Sequence, residues 1–70
     1  MSNSVYRVTE IIGTSSKSWE DATKGAIEVA ARTLRDLRVA EVTDLDVTVE
    51  DGKVTNFRAK VKVSFKYEAD

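Results

Sequence analysis

The sequence predicts an α+β fold with the element order β-α-β-β, and three observations support this prediction. Residues 5–12 are rich in β-branched and aromatic side chains, and small and apolar residues at helical spacing follow them. Two long segments with alternating apolar residues come last, separated by a Glu50-Asp51-Gly52 turn. If the sheet is wholly antiparallel, the third strand must lie between the first two, because two neighbouring strands joined through a helix pair in parallel. We therefore expect a three-stranded antiparallel sheet of order 1-3-2 with one helix, in a single domain over residues 1–70.

The first strand is expected at Val5–Ile12, with Gly13 ending it. The next segment, Gly13–Ser18, resembles a phosphate-binding loop only superficially. Such a loop needs a second glycine before the lysine, and none precedes Lys17 here. We interpret this segment as a turn between the strand and the helix.

The helix is expected to begin at Ser18, because serine is a favoured N-cap and Asp21 can complete a capping-box arrangement. Trp19, the only tryptophan, is interpreted as a packing residue or a subunit contact rather than a platform for a planar ligand. It belongs to a stripe of small and apolar residues that we expect to be buried, namely Trp19, Ala22, Ala26, Ala30, Leu34 and Leu37.

The second and third strands are expected at Val39–Glu50 and Lys53–Tyr67. Their apolar side chains occupy odd positions in both strands, and directly opposed residues share a face, so odd residues must oppose odd residues. A two-residue Asp51-Gly52 loop would violate this rule. We therefore predict a three-residue loop with Gly52 in the left-handed conformation, which pairs Val49 with Lys53.

The predicted register places charged residues opposite each other on the even-numbered face, with Asp44 opposite Arg58 and Asp46 opposite Asn56. Cross-strand charge pairing, worth about 0.2–1 kcal/mol per pair, explains such a face without any ligand. The alternative is a calcium site at Asp44 and Asp46, because calcium is bound by several oxygen ligands. One chain supplies too few of these ligands, so carboxylates from symmetry-related chains would be required.

Composition restricts the possible functions. The 70 residues include no cysteine and no histidine, which excludes disulfides, thiolate-bound metals and a serine–histidine–acid triad. Eleven basic and twelve acidic residues balance almost completely, so we expect neither a nucleic acid nor a membrane as partner. No secretory signal or membrane span is recognisable, which indicates a cytoplasmic protein. A chain this short buries little surface by itself, so oligomerisation is expected.

Four segments together resemble the dodecin family, and their order and spacing are more specific than any one of them. The segments are Ile11–Ser15, Thr33–Leu37, Ala40–Val42 and Lys62–Phe65. The resemblance implies a sheet wrapped around one helix and a hollow shell of twelve copies. It also implies ligand storage without catalysis, and the carboxylates of this chain form no evident acid–base pair, so we expect no enzyme.

The resemblance also indicates where a ligand would bind. Flavin-binding dodecins carry a stacking tryptophan at the position of Val39 and a flavin-contacting glutamine at the position of Arg58, so flavin binding is expected to be weakened. The chain is more similar to the calcium dodecins, with which it shares Ser18–Glu20, Arg38–Ala40 and Val63–Lys66.

We therefore expect a homo-dodecamer that binds, stores or buffers calcium or another small ligand. Residual binding of riboflavin or FMN is the first alternative, and a shell without a ligand is another. An enzyme of unknown reaction is the alternative from a different class. For calcium, Asp44 and Asp46 are the candidate ligands, and Glu20 and Asp21 are the alternative pair.

Overall fold

A computed structural model describes residues 4–66 and contains four regular elements. They are β1 (Tyr6–Ser15), α1 (Trp19–Ala31), β2 (Leu37–Glu50) and β3 (Lys53–Lys66). β3 lies between β1 and β2 and pairs with both in antiparallel orientation. The predicted class, element order and strand order 1-3-2 are confirmed. The predicted end of the third strand at Tyr67 lies outside the described residues.

β1 continues three residues beyond the position predicted as its end. Gly13 pairs with Ala59, and the ladder with β3 runs on to Ser15. Glycine is required here by the helix, because a Cβ atom on Gly13 would lie 2.2 Å from the backbone oxygen of Ala22 and 2.8 Å from the Cβ of Ala26. The glycine therefore marks a close approach between strand and helix, and the prediction that it ends the strand was wrong.

The start of α1 confirms the predicted cap and changes its partner. The Oγ of Ser18 accepts a hydrogen bond from the backbone N–H of Asp21 at 2.9 Å. The Asp21 carboxylate does not return to the Ser18 backbone but accepts a 2.7 Å bond from the hydroxyl of Ser15. That hydroxyl oxygen accepts bonds from the backbone N–H groups of Lys17 and Ser18, at 2.9 and 3.4 Å. The buried Ser15 thus ties the end of β1 to the first turn of α1.

α1 ends at Ala31, before the last two residues of the predicted stripe. The N–H groups of Thr33 and Leu34 both bond to the oxygen of Ala30, which tightens the final turn. Asp36 then adopts a left-handed conformation with φ of 56°, and Leu37 begins β2. Leu34 and Leu37 still pack against the core. The apolar spacing therefore identified Ala22 and Ala30 as core residues, with Leu34 and Leu37 partly buried beside them. It was wrong for Trp19, which is 39% exposed, and it placed the end of the helix too late.

The β2–β3 turn contains two residues, so the predicted three-residue loop was wrong. Glu50 pairs with Lys53, leaving Asp51 and Gly52 in the turn. Both turn residues have positive φ, 52° for Asp51 and 74° for Gly52. These values are typical of the type I′ turn, whose twist matches that of the flanking strands.

A β-bulge restores the parity that the short turn would otherwise break. Val49 pairs with Val54, but the next pair is Thr48 with Asn56, so Thr55 is the extra residue of β3. From this bulge to Leu45, odd residues of β2 oppose odd residues of β3, as the apolar pattern requires. A second register shift, between Val42 and Asp44, then pairs Val42 with Val61. The parity argument was therefore correct for this part of the sheet, while the device that satisfies it is a bulge rather than a longer loop.

The core lies between α1 and the face of β3 that carries odd-numbered residues, and it is built from small side chains. Ala59, Val61 and Val63 of β3 are fully buried against Ala22 of α1. Within residues 4–66, no helix is both long and apolar enough to cross a membrane.

Candidate functional site

The face of the sheet opposite α1 carries a row of basic residues between acidic ones, and we call it the charged outer face. Its β3 side chains alternate with the buried residues of the core and therefore project away from the helix. Three basic residues of β3 each oppose an acidic residue of β2. The pairs are Arg58 with Asp46, Lys60 with Asp44, and Lys62 with Glu41. Lys62 also opposes Glu10 of β1 on its other side.

This arrangement corrects the predicted register. The predicted pairings of Asp44 with Arg58 and of Asp46 with Asn56 were wrong. Arg58 instead opposes Asp46, and Lys60 opposes Asp44. The shift of two positions has two equal causes, since the turn is one residue shorter than predicted and the bulge adds one residue to β3.

Asp46 and Arg58 form a two-pronged ion pair. The Nε of Arg58 lies 2.7 Å from Oδ1 of Asp46, and its Nη2 lies 3.0 Å from Oδ2. The hydrogen bond from Arg58 lowers the pKa of Asp46 below its ordinary value of 3.8, and the positive charges of Arg58 and Lys60 add to this effect. The bond from Asp46 in turn raises the pKa of Arg58. Both side chains remain partly exposed, so the pair is open to competing ions.

Asp44 differs from Asp46 in its ion pairing. Among the described residues its carboxylate has no ion-pair partner within 4.0 Å, although Lys60 stands opposite it. The two carboxylates project from the same face because one residue separates them. Over residues 4–66 there is no cluster of three metal-ligating side chains. A cation at this place would therefore need ligands from further chains.

The alternative carboxylates at the start of α1 are not equivalent either. Asp21 is bound to the Ser15 hydroxyl and serves the helix cap. Glu20 is exposed in the first turn. Their arrangement is explained by helix capping and by the favourable position of negative charge at a helix N-terminus.

Val39 and Arg58, the two positions where the resemblance predicts flavin contacts, are not brought together within one chain. Val39 opposes Ser64 on β3, six residues from Arg58 along the strand, which corresponds to roughly 20 Å. The Val39 side chain is 63% exposed, so it is available to another molecule. A joint site at these two positions would require two copies of the chain.

Trp19 packs within the chain, as the sequence indicated. Its ring centroid lies 5.1 Å from that of Phe57, with the two planes at 75°, which is an edge-to-face contact. Its indole N–H donates a 3.0 Å hydrogen bond to the backbone oxygen of Asp46. No local sequence signal predicts this bond, because its partners are 27 residues apart. Asp46 thus accepts a hydrogen bond from Trp19 through its backbone oxygen and binds Arg58 through its carboxylate.

An apolar groove lies between β1 and α1 and was not predicted from the sequence. We call it the β1–α1 groove. It has a volume of about 780 Å³, and its apolar lining includes Ile11, Ile12, Ala26, Val29 and Leu34. No titratable side chain lines it. The groove is therefore suited to apolar contact and not to acid–base chemistry.

Comparison with known proteins identifies the family. The Dodecin family model matches residues 5–68, so the chain belongs to the dodecins. The dodecin structure from Streptomyces coelicolor superposes with a TM-score of 0.91 at 40% identity, covering 100% of both chains. Its fold is the β-α-β-β arrangement described above.

Within the family, the chain is similar to a calcium dodecin. It is 48% identical over 64 residues to the calcium dodecin of Mycobacterium tuberculosis, covering 90% of this chain and 89% of that protein. The crystal structure of that calcium-chelating protein, which has a novel calcium-binding site, gives a TM-score of 0.82 at 43% identity over 94% of each chain.

Proposed function

We propose that twelve copies of this chain, each a single domain over residues 1–70, form a hollow shell that binds and buffers calcium and catalyses no reaction. The observation that carries the preference for calcium over flavin is the exposed valine at position 39. The flavin-binding members of the family place an aromatic ring there, and a valine has no π-face on which a flavin could stack. The similarity to a calcium dodecin over most of the chain supports the same choice.

Flavin binding is the second candidate, and the ion pair argues against it. Arg58 occupies the position of the family's glutamine, and its guanidinium is already bound by Asp46. A flavin at this position would have to separate the two charged groups or accept a cation where the family offers a neutral amide. Trp19 and Phe57 offer no replacement platform, because they pack against each other.

The proposed absence of catalysis is supported by the residues that line the β1–α1 groove and the charged outer face. The β1–α1 groove is lined by no acid, base or thiol. The carboxylates of the charged outer face stand on an open strand surface beside basic partners. General acid–base chemistry needs positioned titratable groups in a site that holds a substrate, and neither the β1–α1 groove nor the charged outer face combines the two.

Asp44 is the better calcium ligand of the two predicted residues. Its carboxylate is unpaired among residues 4–66, whereas a cation at Asp46 must displace the guanidinium of Arg58. Calcium takes six to eight oxygen ligands, so the proposed site lies where a symmetry axis brings carboxylates of several copies together.

Calcium calorimetry and metal analysis of the purified protein test this proposal. We expect the unmodified protein to bind calcium and Asp44→Asn to bind at least tenfold more weakly. Arg58→Gln should bind more tightly, because it removes the competing cation from Asp46. If Asp44→Asn/Asp46→Asn binds as well as the unmodified protein, the site lies elsewhere, and Glu20 and Asp21 are the next pair to change. Absence of calcium binding by the unmodified protein would overturn the proposal.

Riboflavin titration tests the second candidate on the same samples. We expect weak or no fluorescence quenching with the unmodified protein. Val39→Trp should strengthen quenching, and Arg58→Gln should add to it, because the two changes restore the π-face and the neutral amide. Tight flavin binding by the unmodified protein would favour the second candidate over calcium.

A further inference from the structure

The charged part of β2 is out of register with the strand on both of its sides. Val49 pairs with Val54 near the turn, and Val42 pairs with Val61 further along. The two valines of each strand are equally far apart, so both pairs belong to one continuous register. Between them, residues 44–48 pair with β3 in a register shifted by one position. We call residues 44–48 the offset segment.

A threonine stands at each end of the offset segment. Thr43 is the extra residue of β2 at one end, and Thr55 is the extra residue of β3 at the other. The Thr43 hydroxyl donates a 3.3 Å hydrogen bond to the backbone oxygen of Lys60. The hydroxyl oxygen of Thr55 lies 2.6 Å from that of Thr48. Both bulges are thus bridged across the ladder by side chains, which stabilises the offset.

The offset determines which residues the acidic side chains face. If the register of the flanking pairs continued without interruption, Asp46 would oppose Phe57 and Asp44 would oppose Ala59. Ala59 is completely buried, so the Asp44 carboxylate would point toward the core, where an unpaired charge is costly. The offset instead places both carboxylates opposite basic residues on the charged outer face.

Trp19 contacts the offset segment from the helix side. Its indole N–H donates to the backbone oxygen of Asp46, and its ring packs edge-to-face against Phe57. Phe57 opposes Val47 of the offset segment on one side and Ser15 of β1 on the other. Among the described residues, the indole bond is the only hydrogen bond that joins α1 to β2. Trp19 therefore connects the offset segment to the start of the helix, which Ser15 ties to β1.

We propose that Trp19 positions the two carboxylates of the proposed calcium site by holding the offset segment in place. This role rests on the proposed function for its ligand, whereas the contacts of Trp19 require no ligand. β2 is an edge strand, so no further strand of the chain fixes the segment from its outer side. The indole bond fixes the carbonyl of Asp46, and Asp44 follows the same strand two residues away. The direction and spacing of both carboxylates thus depend on this anchor.

Hydrogen exchange read by mass spectrometry tests the anchor without a ligand. Trp19→Phe keeps an aromatic ring and removes the bond to Asp46. We expect the amides of residues 44–48 to exchange roughly fivefold faster in this variant, and those of residues 39–42 to change less than about twofold. Leu37→Ala is the control, because Leu37 packs against the core at the other end of β2 and should not accelerate residues 44–48 selectively. Unchanged exchange of residues 44–48 in Trp19→Phe, or equal acceleration of both ranges, would overturn the role of Trp19.

Phe57→Leu provides a second variant for the same measurement if Trp19→Phe does not fold. It keeps the indole bond and removes the edge-to-face contact of Trp19. We expect it to accelerate exchange in residues 44–48 more than in residues 39–42. Equal rates in the variant and the unmodified protein would count against the anchor.

Calcium calorimetry connects the anchor to the proposed site. Arg58→Gln removes the cation that competes at Asp46, so in this background Trp19→Phe acts on the placement of the carboxylates alone. We expect Trp19→Phe/Arg58→Gln to bind calcium at least threefold more weakly than Arg58→Gln. Equal affinities would overturn the positioning of the carboxylates. If neither the unmodified protein nor Arg58→Gln binds calcium, the proposed function fails, and hydrogen exchange still decides whether Trp19 holds the segment.

Discussion

At the scale of a single residue, Asp46 contacts partners on both faces of the sheet. Its carboxylate holds Arg58 on the charged outer face, while its backbone oxygen accepts the indole N–H of Trp19 from the helix side. A residue on a strand can do this because its side chain and its carbonyl point in different directions. Ion binding at the Asp46 carboxylate is thereby placed next to the only tryptophan of the chain, which offers a fluorescent signal for it.

The first prediction concerns the titration of Asp46. Its pKa is lower in the folded chain than the ordinary value of 3.8, so the ion pair stabilises the fold above that pH. This contribution is lost as the pH falls through the lower folded pKa. Carboxyl NMR should place the pKa of Asp46 below 3.8, and Arg58→Gln should return it toward that value. An unchanged pKa in the variant would show that the hydrogen bond from Arg58 is not the cause.

The second prediction concerns Trp19. Trp19→Phe keeps an aromatic ring but removes the N–H bond to Asp46, which should cost about 1 kcal/mol. Trp19→Ala also removes the edge contact with Phe57 and should cost about 2–3 kcal/mol in total. Urea unfolding followed by circular dichroism, at one protein concentration, measures both values. Equal stability of all three proteins would contradict the packing role of the tryptophan.

Two glycines show how an element is constrained by its neighbour. Gly13 on β1 faces α1 so closely that a side chain would collide with the backbone of Ala22. Gly25 lies within α1, and a Cβ atom there would meet no atom within 4 Å. The first glycine is required by packing of the helix on the strand, and the second is not.

This contrast yields the third prediction. Gly13→Ala should destabilise the chain by about 3 kcal/mol or more, because a backbone atom cannot move aside as a flexible side chain can. Gly25→Ala is the matched control and should be neutral or stabilising by up to about 1 kcal/mol, because alanine favours the helix. Thermal unfolding of both variants provides the test. Similar losses in both would show that helix propensity, and not the close approach, governs Gly13.

At the scale of the whole molecule, the described residues bury few large apolar side chains. Within residues 4–66 the fully buried large side chains are only Val61 and Val63, and many large apolar residues remain exposed. The apolar side chains exposed by more than a third are Val5, Tyr6, Val8, Ile12, Trp19, Val29, Val39, Val42, Leu45, Val49 and Val54. They are distributed over the sheet, the helix and the β2–β3 hairpin, so one small contact cannot cover them.

The fourth prediction is therefore a large assembly. Light scattering should give roughly twelve times the monomer mass of 7.8 kDa, because a lone chain of this length buries only about 60% of its unfolded surface. The melting temperature should also rise with protein concentration, as mass action requires for a fold that depends on its partners. A folded monomer at micromolar concentration would contradict this prediction.

The sequence determined by itself the elements whose signals are local. Alternation of apolar residues identified the strands, and Ser18 identified the start of the helix. Parity correctly required odd residues to oppose odd residues at Val47 and Leu45. The similarity of short segments to the dodecins was also correct, as the family match over residues 5–68 shows. The roles of Val39, Arg58, Asp44 and Asp46 as ligands remain predictions.

Only the tertiary structure decided the features that depend on a neighbour. Gly13 lies within β1 and has no side chain because the helix passes too close to it. The register depends on a bulge at Thr55, which the apolar periodicity does not predict. As a result Asp46 is paired with Arg58 and Asp44 is left unpaired among the described residues, the reverse of the predicted arrangement. The physical reason is that one inserted residue costs little locally but shifts every later pair of a ladder, so the partner of each charge is settled only when both strands are in place.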